Sequence, residues 1–359
     1  KARLLEPLRP ARASVKPSVL VIGGGLAGLI AARQASSLGV RACVVGQGEE
    51  LGAPASAGGG EIPRRARELE AELSEDGLVT ILRGAAVEEV RGSVGSFRAA
   101  IRGADGSLEE LEFGAIVVAC GAEALRPIGL HGYGEHPKVL TVDEFEGKLS
   151  DPGFEAGSVA YLLCAGARCA ERPYCGITCC LEAIEQAIRV KRRSPSSEVY
   201  VICRDVRLPY PGEAIYREAR ELGILFVKYP ADRPPSISVG EPHKVEAFDA
   251  GLGAPIQFEA DYLILAAPKA PSPALRELSA MLKVPIGPDG FLLEAHPKLR
   301  PVEFATDGIF LCGPAYGPSH LRDEVCQAIA AASKASALIP VSYTHLRAHE
   351  TEADLVCRL

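Results

Sequence analysis

Apolar and polar positions alternate along the chain in a way that announces its elements. Ser18–Ile22 is a short apolar run, a glycine turn follows, and from Leu26 to Leu38 apolar residues recur at helical spacing. Arg41–Val45 is a second apolar run, so the chain opens as strand, helix, strand, the start of a parallel sheet. Residues 52–60 are small and glycine-rich and read as a loop; Ile62–Leu73 then reads as a charged amphipathic helix. Residues 86–112 read as a meander of short strands with turns at Gly92–Gly95 and Ala104–Ser107. Ala115–Ala119 is again apolar and ends in Cys120-Gly121.

The same rhythm restarts after the Pro/Gly/Asp-rich linker Gly147–Gly157. Strands are expected at Val159–Leu163, Val199–Cys203, Ile224–Tyr229 and Tyr262–Ala266, with helices at Leu181–Lys191 and Glu213–Leu222. Pro268–Pro273 reads as a second linker. Gly308–Ile339 supplies a strand at Ile309–Leu311, a glycine turn and a long alanine-rich helix. Two strand–helix–strand units joined by two linkers imply nesting: a first domain over 17–150, an inserted second domain over 151–270, and completion of the first over 271–340. Residues 1–16 read as an Arg/Pro-rich tail. Residues 341–359 continue none of the preceding periodicity and resemble translated adaptor sequence, the alternative being an ordinary polar extension.

Composition narrows the class. The chain has 359 residues, 47% of them hydrophobic, ample for a buried core. A net charge of −7 gives no electrostatic footprint for nucleic acid or an anionic membrane. No apolar run reaches the ~20 residues of a membrane span, and no secretory signal is visible. A soluble or peripheral, cytoplasmic protein is expected. The chain begins at Lys1, as a fragment or processed end would.

Gly23-Gly24-Gly25-Leu26-Ala27-Gly28 fits G-x-G-x-x-G between a strand and a helix, the context that nucleotide binding requires. Gly23 permits the tight turn, Gly25 lets the backbone approach a pyrophosphate, and Gly28 allows close packing of helix on strand. Phosphates would then meet free N–H groups at the helix N-terminus. One feature departs from the pattern. An acid normally ends the second strand and holds the ribose, whereas here Val45 is followed by Gly46-Gln47-Gly48, with Glu49 and Glu50 only later. Either of those acids reaches back, or ribose recognition is weakened.

Eleven cysteines are many, and five of them, Cys164, Cys169, Cys175, Cys179 and Cys180, share one stretch. In a cytosolic protein such a cluster binds metal or does redox work more often than it forms disulfides. Four thiolates are the complement of a cubane iron–sulfur cluster. A helix starting near Cys175 would put Cys175 and Cys179 one turn apart, with Cys180 approaching from the side and Cys164 closing the site from the strand end. Arg168, Arg172 and the helix N-terminus would offset the cluster's negative charge. Structural zinc also suits four thiolates, although its usual spacing is paired C-x₂₋₄-C. A disulfide and inert buried cysteines remain as plainer readings. Cys169 is the spare, and Cys43, Cys120, Cys203, Cys312 and Cys326 are scattered.

Ile116–Gly121 and Gly308–Gly313 resemble the strand-plus-glycine segments of two-domain flavoproteins, with helix 322–338 aiming its N-terminus at the flavin. The run C-A-G-A-R…P-Y-C-x-x-x-C-C from Cys164 to Cys180, with the helix after it, resembles the A-subunit family of heterodisulfide reductase. The corresponding A-subunit of quinone-interacting membrane-bound oxidoreductase is a relative of that family. The resemblance covers about residues 17–339, including Tyr133-Gly134…Pro137 and Gly317-Pro318. It implies an α/β fold of two nested Rossmann-like domains, a thioredoxin-reductase-like two-domain flavoprotein. It implies FAD at Gly23, Gly24, Gly25, Ala27, Gly28, Gly121 and Gly313, and a [4Fe–4S] cluster on Cys164, Cys175, Cys179 and Cys180. Electrons would pass between flavin and partner iron–sulfur proteins resembling the B and C components of heterodisulfide reductase; a homodimer is compatible with this. Family members usually carry inserted ferredoxin-like domains, and no cysteine lies here between Cys43 and Cys120.

Two other readings compete. A self-contained NAD(P)H:disulfide reductase needs a redox-active C-x-x-C and a second nucleotide loop, and neither is present. A scaffold component that has lost its flavin draws support from Gly46. His131, His136, His243, His296 and His320 show no metal spacing and are expected on the surface or in loops, and no general acid or base is assigned.

Overall fold

The computed structural model describes residues 15–52 and 61–339; the expectations for the two tails and most of the loop 52–60 lie outside the described residues. The first unit runs β1 (Ser18–Ile22), α1 (Leu26–Ser37), β2 (Arg41–Gly46), α2 (Glu61–Ser74) and β3 (Val79–Arg83). A meander follows, β4 (Ala86–Ser93), β5 (Ser96–Arg102) and β6 (Leu108–Phe113), and then β7 (Ala115–Val118) and the short β8 (Ala122–Ala124). The second unit holds β9 (Val139–Thr141), α3 (Val142–Leu149), β10 (Ser158–Leu163), α4 (Cys179–Arg193), β11 (Glu198–Cys203), α5 (Gly212–Glu221) and β12 (Leu225–Lys228). It continues through the hairpins of β13 (Ser236–Ser238), β14 (His243–Asp249) and β15 (Ala254–Ala260) into β16 (Tyr262–Ala266). The chain returns through β17 (Lys269–Pro271) and α6 (Ala274–Leu282) to β18 (Ile309–Leu311) and α7 (Leu321–Ala337).

Two parallel sheets carry the architecture, in the orders β18-β7-β1-β2-β3 and β12-β11-β10-β16-β9. The C-terminal strand β18 pairs β7, so the last segment completes the first sheet. Each central strand is apolar throughout because both of its faces are covered. In β1, Val19 and Val21 face α1 and α7, while Leu20 and Ile22 face the meander and α6. In β10, Val159, Tyr161 and Leu163 face one layer and Ala160 and Leu162 the other. Alanines line the meeting of α1 and α7: Ala27, Ala31 and Ala35 on one, Ala328, Ala331 and Ala335 on the other, all buried. Small side chains there let the two helices approach closely.

The passage between units lies earlier than the linker 147–157 and the boundary at 150–151 suggest. Strand β9 already pairs β16 in the second sheet, and α3 follows it directly. The outgoing strand β8 and the returning strand β17 pair antiparallel, with Lys269 opposite Ala124, so the two crossings form one ribbon. Sequence periodicity misses β8 and β9 because strands of three residues are too short to show alternation.

Candidate functional site

At the carboxyl end of β1 the chain turns at Gly23 with φ +123°, and a Cβ there would stand 2.7 Å from the Ala119 backbone. A Cβ on Gly28 would meet the Gly23 carbonyl oxygen at 1.9 Å, so this glycine lets α1 lie against the turn. On Gly25 the same atom would meet nothing within 4 Å; its face is open. Gly25 is the N-cap of α1, no side chain caps the helix, and its first turn carries no acid. The free N–H groups and positive end of α1 therefore stand available to an anion.

Beside the turn is a cavity of about 290 Å3 whose walls include Gly23, Gly24, Gln47, Cys120, Gly121 and Leu275. The acid missing from Gly46 is not replaced by its neighbours. Glu49 and Glu50 are exposed and do not line this cavity; Gln47 does. The Leu51 side chain covers Gly24 and Gly46, and Gly52 donates its N–H to the Gly24 carbonyl at 2.7 Å. Gly121 packs beneath Leu275 at φ +136°. Gly313 is buried against Ala27 and donates its N–H to Gln327 Oε1 at 2.9 Å, whereas Gly121 also lines the cavity. The first turn of α7 carries Asp323 and Glu324, which temper its positive end; burial raises the Glu324 pKa. Cys312, at the end of β18, is fully buried.

The carboxyl end of β10 carries the cysteine loop. The helix does not begin near Cys175. It begins at Cys179, with Cys175–Thr178 in an irregular turn, because Ile177 has φ 60° and cannot continue a helix. Cys179 and Cys180 are thus the first two residues of α4, both buried, and Cys175 reaches the site from the loop. Cys164, φ 60°, and Arg168, φ 53°, also adopt left-handed backbone. Such conformations cost on the order of 1 kcal/mol each and persist where surrounding contacts enforce them.

Those contacts are visible. Arg168 forms an ion pair with Asp205 and directs Nη1 to Cys164 Sγ at 3.9 Å. Arg204 Nη1 donates to the Arg168 carbonyl at 3.1 Å, and the Arg168 N–H donates to the Tyr174 carbonyl at 3.1 Å. Cys175 Sγ accepts the Ile177 N–H at 3.4 Å. Cys179 and Cys180 share a hydrogen bond. With that bond and the Arg207 N–H, Cys180 is pulled below the usual thiol range against the opposing effect of burial. The same shared bond, followed by burial, pushes Cys179 up. A thiol shifted toward its thiolate beside arginines is suited to be a nucleophile or a metal ligand.

Cys164, Cys175, Cys179 and Cys180 thus stand on a strand end, a loop and a helix start, and Cys164 feels the charges of both Cys180 and Cys175. Among the described residues, no three His, Cys, Asp or Glu side chains converge as holders of a metal ion. The four thiols are of the donor type that a thiolate-held cluster takes, but they do not stand together as one. Cys169 stands apart, its Sγ 3.8 Å from the Gly166 carbonyl. Cys203, which the sequence leaves among the scattered cysteines, ends β11 beside β10. It is fully buried and feels the charges of Cys180 and Cys164, and burial pushes it up to about 12. Only strand pairing could have revealed it. His243 is likewise corrected: it is fully buried on β14 and meets His136 edge-on, ring centroids 4.8 Å apart.

Residues 14–151 match the pyridine nucleotide-disulphide oxidoreductase family. The chain is similar to the A-subunit of the H(2):CoB-CoM heterodisulfide,ferredoxin reductase of Methanothermobacter marburgensis, 28% identical over 94% of this chain and 66% of that protein. It is 35% identical to the iron-sulfur A-subunit of the CoB--CoM heterodisulfide reductase of Methanocaldococcus jannaschii, over 60% of this chain and 35% of that protein. The chain thus spans less than two thirds of the length of these relatives. In structure it is similar to a thioredoxin reductase of Lactococcus lactis, with TM-score 0.61 and 17% identity over 90% of this chain and 99% of that one. The fold is that of the two-domain Rossmann-type flavoproteins.

Proposed function

Because the chain is a member of the heterodisulfide reductase A-subunit family, we propose that it is the FAD- and [4Fe–4S]-bearing electron-transfer part of a heterodisulfide-reductase-like oxidoreductase. One observation carries the reading. The carboxyl end of β10, where a second dinucleotide loop would stand in this fold, carries a run of cysteines and no G-x-G-x-x-G.

When bound, FAD supplies two-electron chemistry and the cluster single-electron transfer. The residues of the chain have the supporting tasks. Gly23 and Gly28 set the turn, and the backbone from Gly24 to Ala27 offers N–H groups to the diphosphate. Cys164, Cys175, Cys179 and Cys180 hold the cluster. Arg168, at Cys164 Sγ, and the N-terminus of α4 offset the charge of the thiolates. Burial of Cys164, Cys179 and Cys180 keeps water from three of the four sulfurs. Partner iron–sulfur proteins resembling the B and C components of heterodisulfide reductase would exchange electrons with this part. Among the described residues no helix is long and apolar enough to cross a membrane.

A second reading, a scaffold that keeps the fold without flavin, is favoured by Leu51 standing where a side chain at Gly46 would go. The deciding experiment is anaerobic purification followed by an absorption spectrum with flavin, iron and sulfide analysis, repeated on Cys179→Ala. Flavin with about four irons, the iron lost in the variant and the flavin retained, supports the relay. Flavin without iron removes the cluster, and no chromophore after reconstitution favours the scaffold.

A further inference from the structure

The two units are built on separate cores. Among the described residues, one side chain of the second unit packs against the buried layer of the first: Tyr174, which directly precedes Cys175 in the cysteine loop. The half-buried Tyr174 ring meets Phe291 edge-on, with ring centroids 5.8 Å apart and an interplanar angle of 76°, a favoured geometry for an aromatic pair. Its hydroxyl donates to the carbonyl of Lys269, on the returning strand β17, at 3.4 Å.

Both ends of the contact are held. Phe291 is fully buried; its carbonyl accepts the Gly287 N–H at 2.7 Å, and the Leu292 N–H donates to the Ala315 carbonyl at 3.1 Å. Leu275 and Leu278 belong to the same buried layer as Phe291 and line the cavity beside the glycine turn. On the loop side, the Tyr174 carbonyl accepts the Arg168 N–H. The loop also rests on both crossings. A Cβ on Gly176 would stand 2.9 Å from Pro268 Cβ, just before β17, and one on Gly166 would stand 2.9 Å from Leu125 Cδ2, just after β8. Two crossing strands of three residues each do not by themselves fix how the units sit, because relative motion of domains is the default unless a packed contact opposes it.

We propose that Tyr174 is a positioning residue: its ring pins the cysteine loop to the first unit and holds the two units in one orientation. If electrons pass between flavin and cluster, the same pin fixes the spacing of the glycine-turn cavity and the cysteines. That consequence rests on the proposed function; the pin itself needs neither flavin nor metal.

Hydrogen exchange of the full chain as purified, read by mass spectrometry, tests the pin in the parent protein and in Tyr174→Ala, Tyr174→Phe and Tyr216→Ala. Flavin and iron content are measured on the same samples, so failure of the relay shows there and not in the exchange. Tyr174→Ala should speed exchange about tenfold in two segments far apart in sequence, 166–178 and 287–292. Tyr174→Phe keeps the ring and should stay within about twofold of the parent in both. Tyr216 packs on Phe226 inside the second unit, so Tyr216→Ala should leave 287–292 unchanged. Phe291→Leu keeps an apolar core residue, approaches the contact from the other side and should speed exchange in 166–178. Faster exchange confined to 166–178 in Tyr174→Ala, or no change there in Phe291→Leu, overturns the pin. So does Tyr174→Phe behaving like Tyr174→Ala, which would make the bond to the Lys269 carbonyl the anchor in place of the ring.

Discussion

Leu51 Cδ2 lies 2.5 Å from the point where a Cβ on Gly46 would stand, and 2.4 Å from the corresponding point on Gly24. Leu51 thus occupies the space that a side chain at 46 would need, and an acid fits there only if Leu51 turns away. Gly46→Glu alone should cost about 1–3 kcal/mol from overpacking, and Leu51→Ala alone about 2–5 kcal/mol. Combined, they should cost less than their sum by about 0.5–3 kcal/mol. Urea unfolding of the four proteins measures this, and strict additivity would show that the two positions do not share the space. Flavin titration of the double variant shows whether a restored acid tightens binding.

Gly25 and Gly28 separate a binding glycine from a packing glycine. Gly28→Ala drives a methyl into the Gly23 carbonyl and should destabilise the protein by about 1–3 kcal/mol. Gly25→Ala meets open space, so stability should change by less than about 0.5 kcal/mol while flavin content falls. Thermal melts and flavin stoichiometry on both variants check the pair. Equal flavin content in Gly25→Ala and the parent protein would remove Gly25 from the binding surface.

Glu144 ties the crossing segment to α3. Partial burial pushes its pKa up, but bonds from the Thr141 N–H at 2.9 Å, Tyr133 Oη at 2.8 Å and Arg126 at 2.8 Å hold it below the usual range. A depressed carboxyl stabilises the fold fully above its unfolded pKa of about 4.3 and loses that contribution as pH falls through the folded value. Glu144→Gln should therefore be less stable by about 1 kcal/mol near neutral pH, since the side chain is partly exposed. The gap should close under acid. Urea midpoints from about pH 3 to 7 decide it; a gap independent of pH would mean that the carboxyl charge is not what matters.

Thiol reactivity should follow burial. Cys326 is exposed, whereas burial pushes Cys43 and Cys203 up to about 12. In native protein stripped of metal, brief alkylation followed by mass spectrometry should label Cys326 first and leave Cys43, Cys203 and Cys312 unlabelled. Early labelling of Cys203 would show that the carboxyl end of β11 opens in solution.

The glycine turn was legible in the sequence because its chemistry is local: Gly23, Gly25 and Gly28 do their work within six residues. The four cysteines were legible as a group because all of them stand within one stretch. The helix start at Cys179 was not, since it turns on the left-handed backbone of Ile177, which the periodicity of side chains does not record. The burial of His243 and the service of Gly313 to packing were equally hidden, each depending on a neighbour far along the chain.

By itself the sequence determined the main strands and helices of the two parallel sheets and the thiol-rich loop, because periodicity, turn chemistry and spacing act over short stretches. Only the tertiary structure decided that Cys203 joins Cys164 and Cys180, that Leu51 fills the place of an acid, and that Tyr174 meets Phe291. Those relationships rest on strand pairing and on loops folding back, and a contact between distant residues leaves no period in the chain.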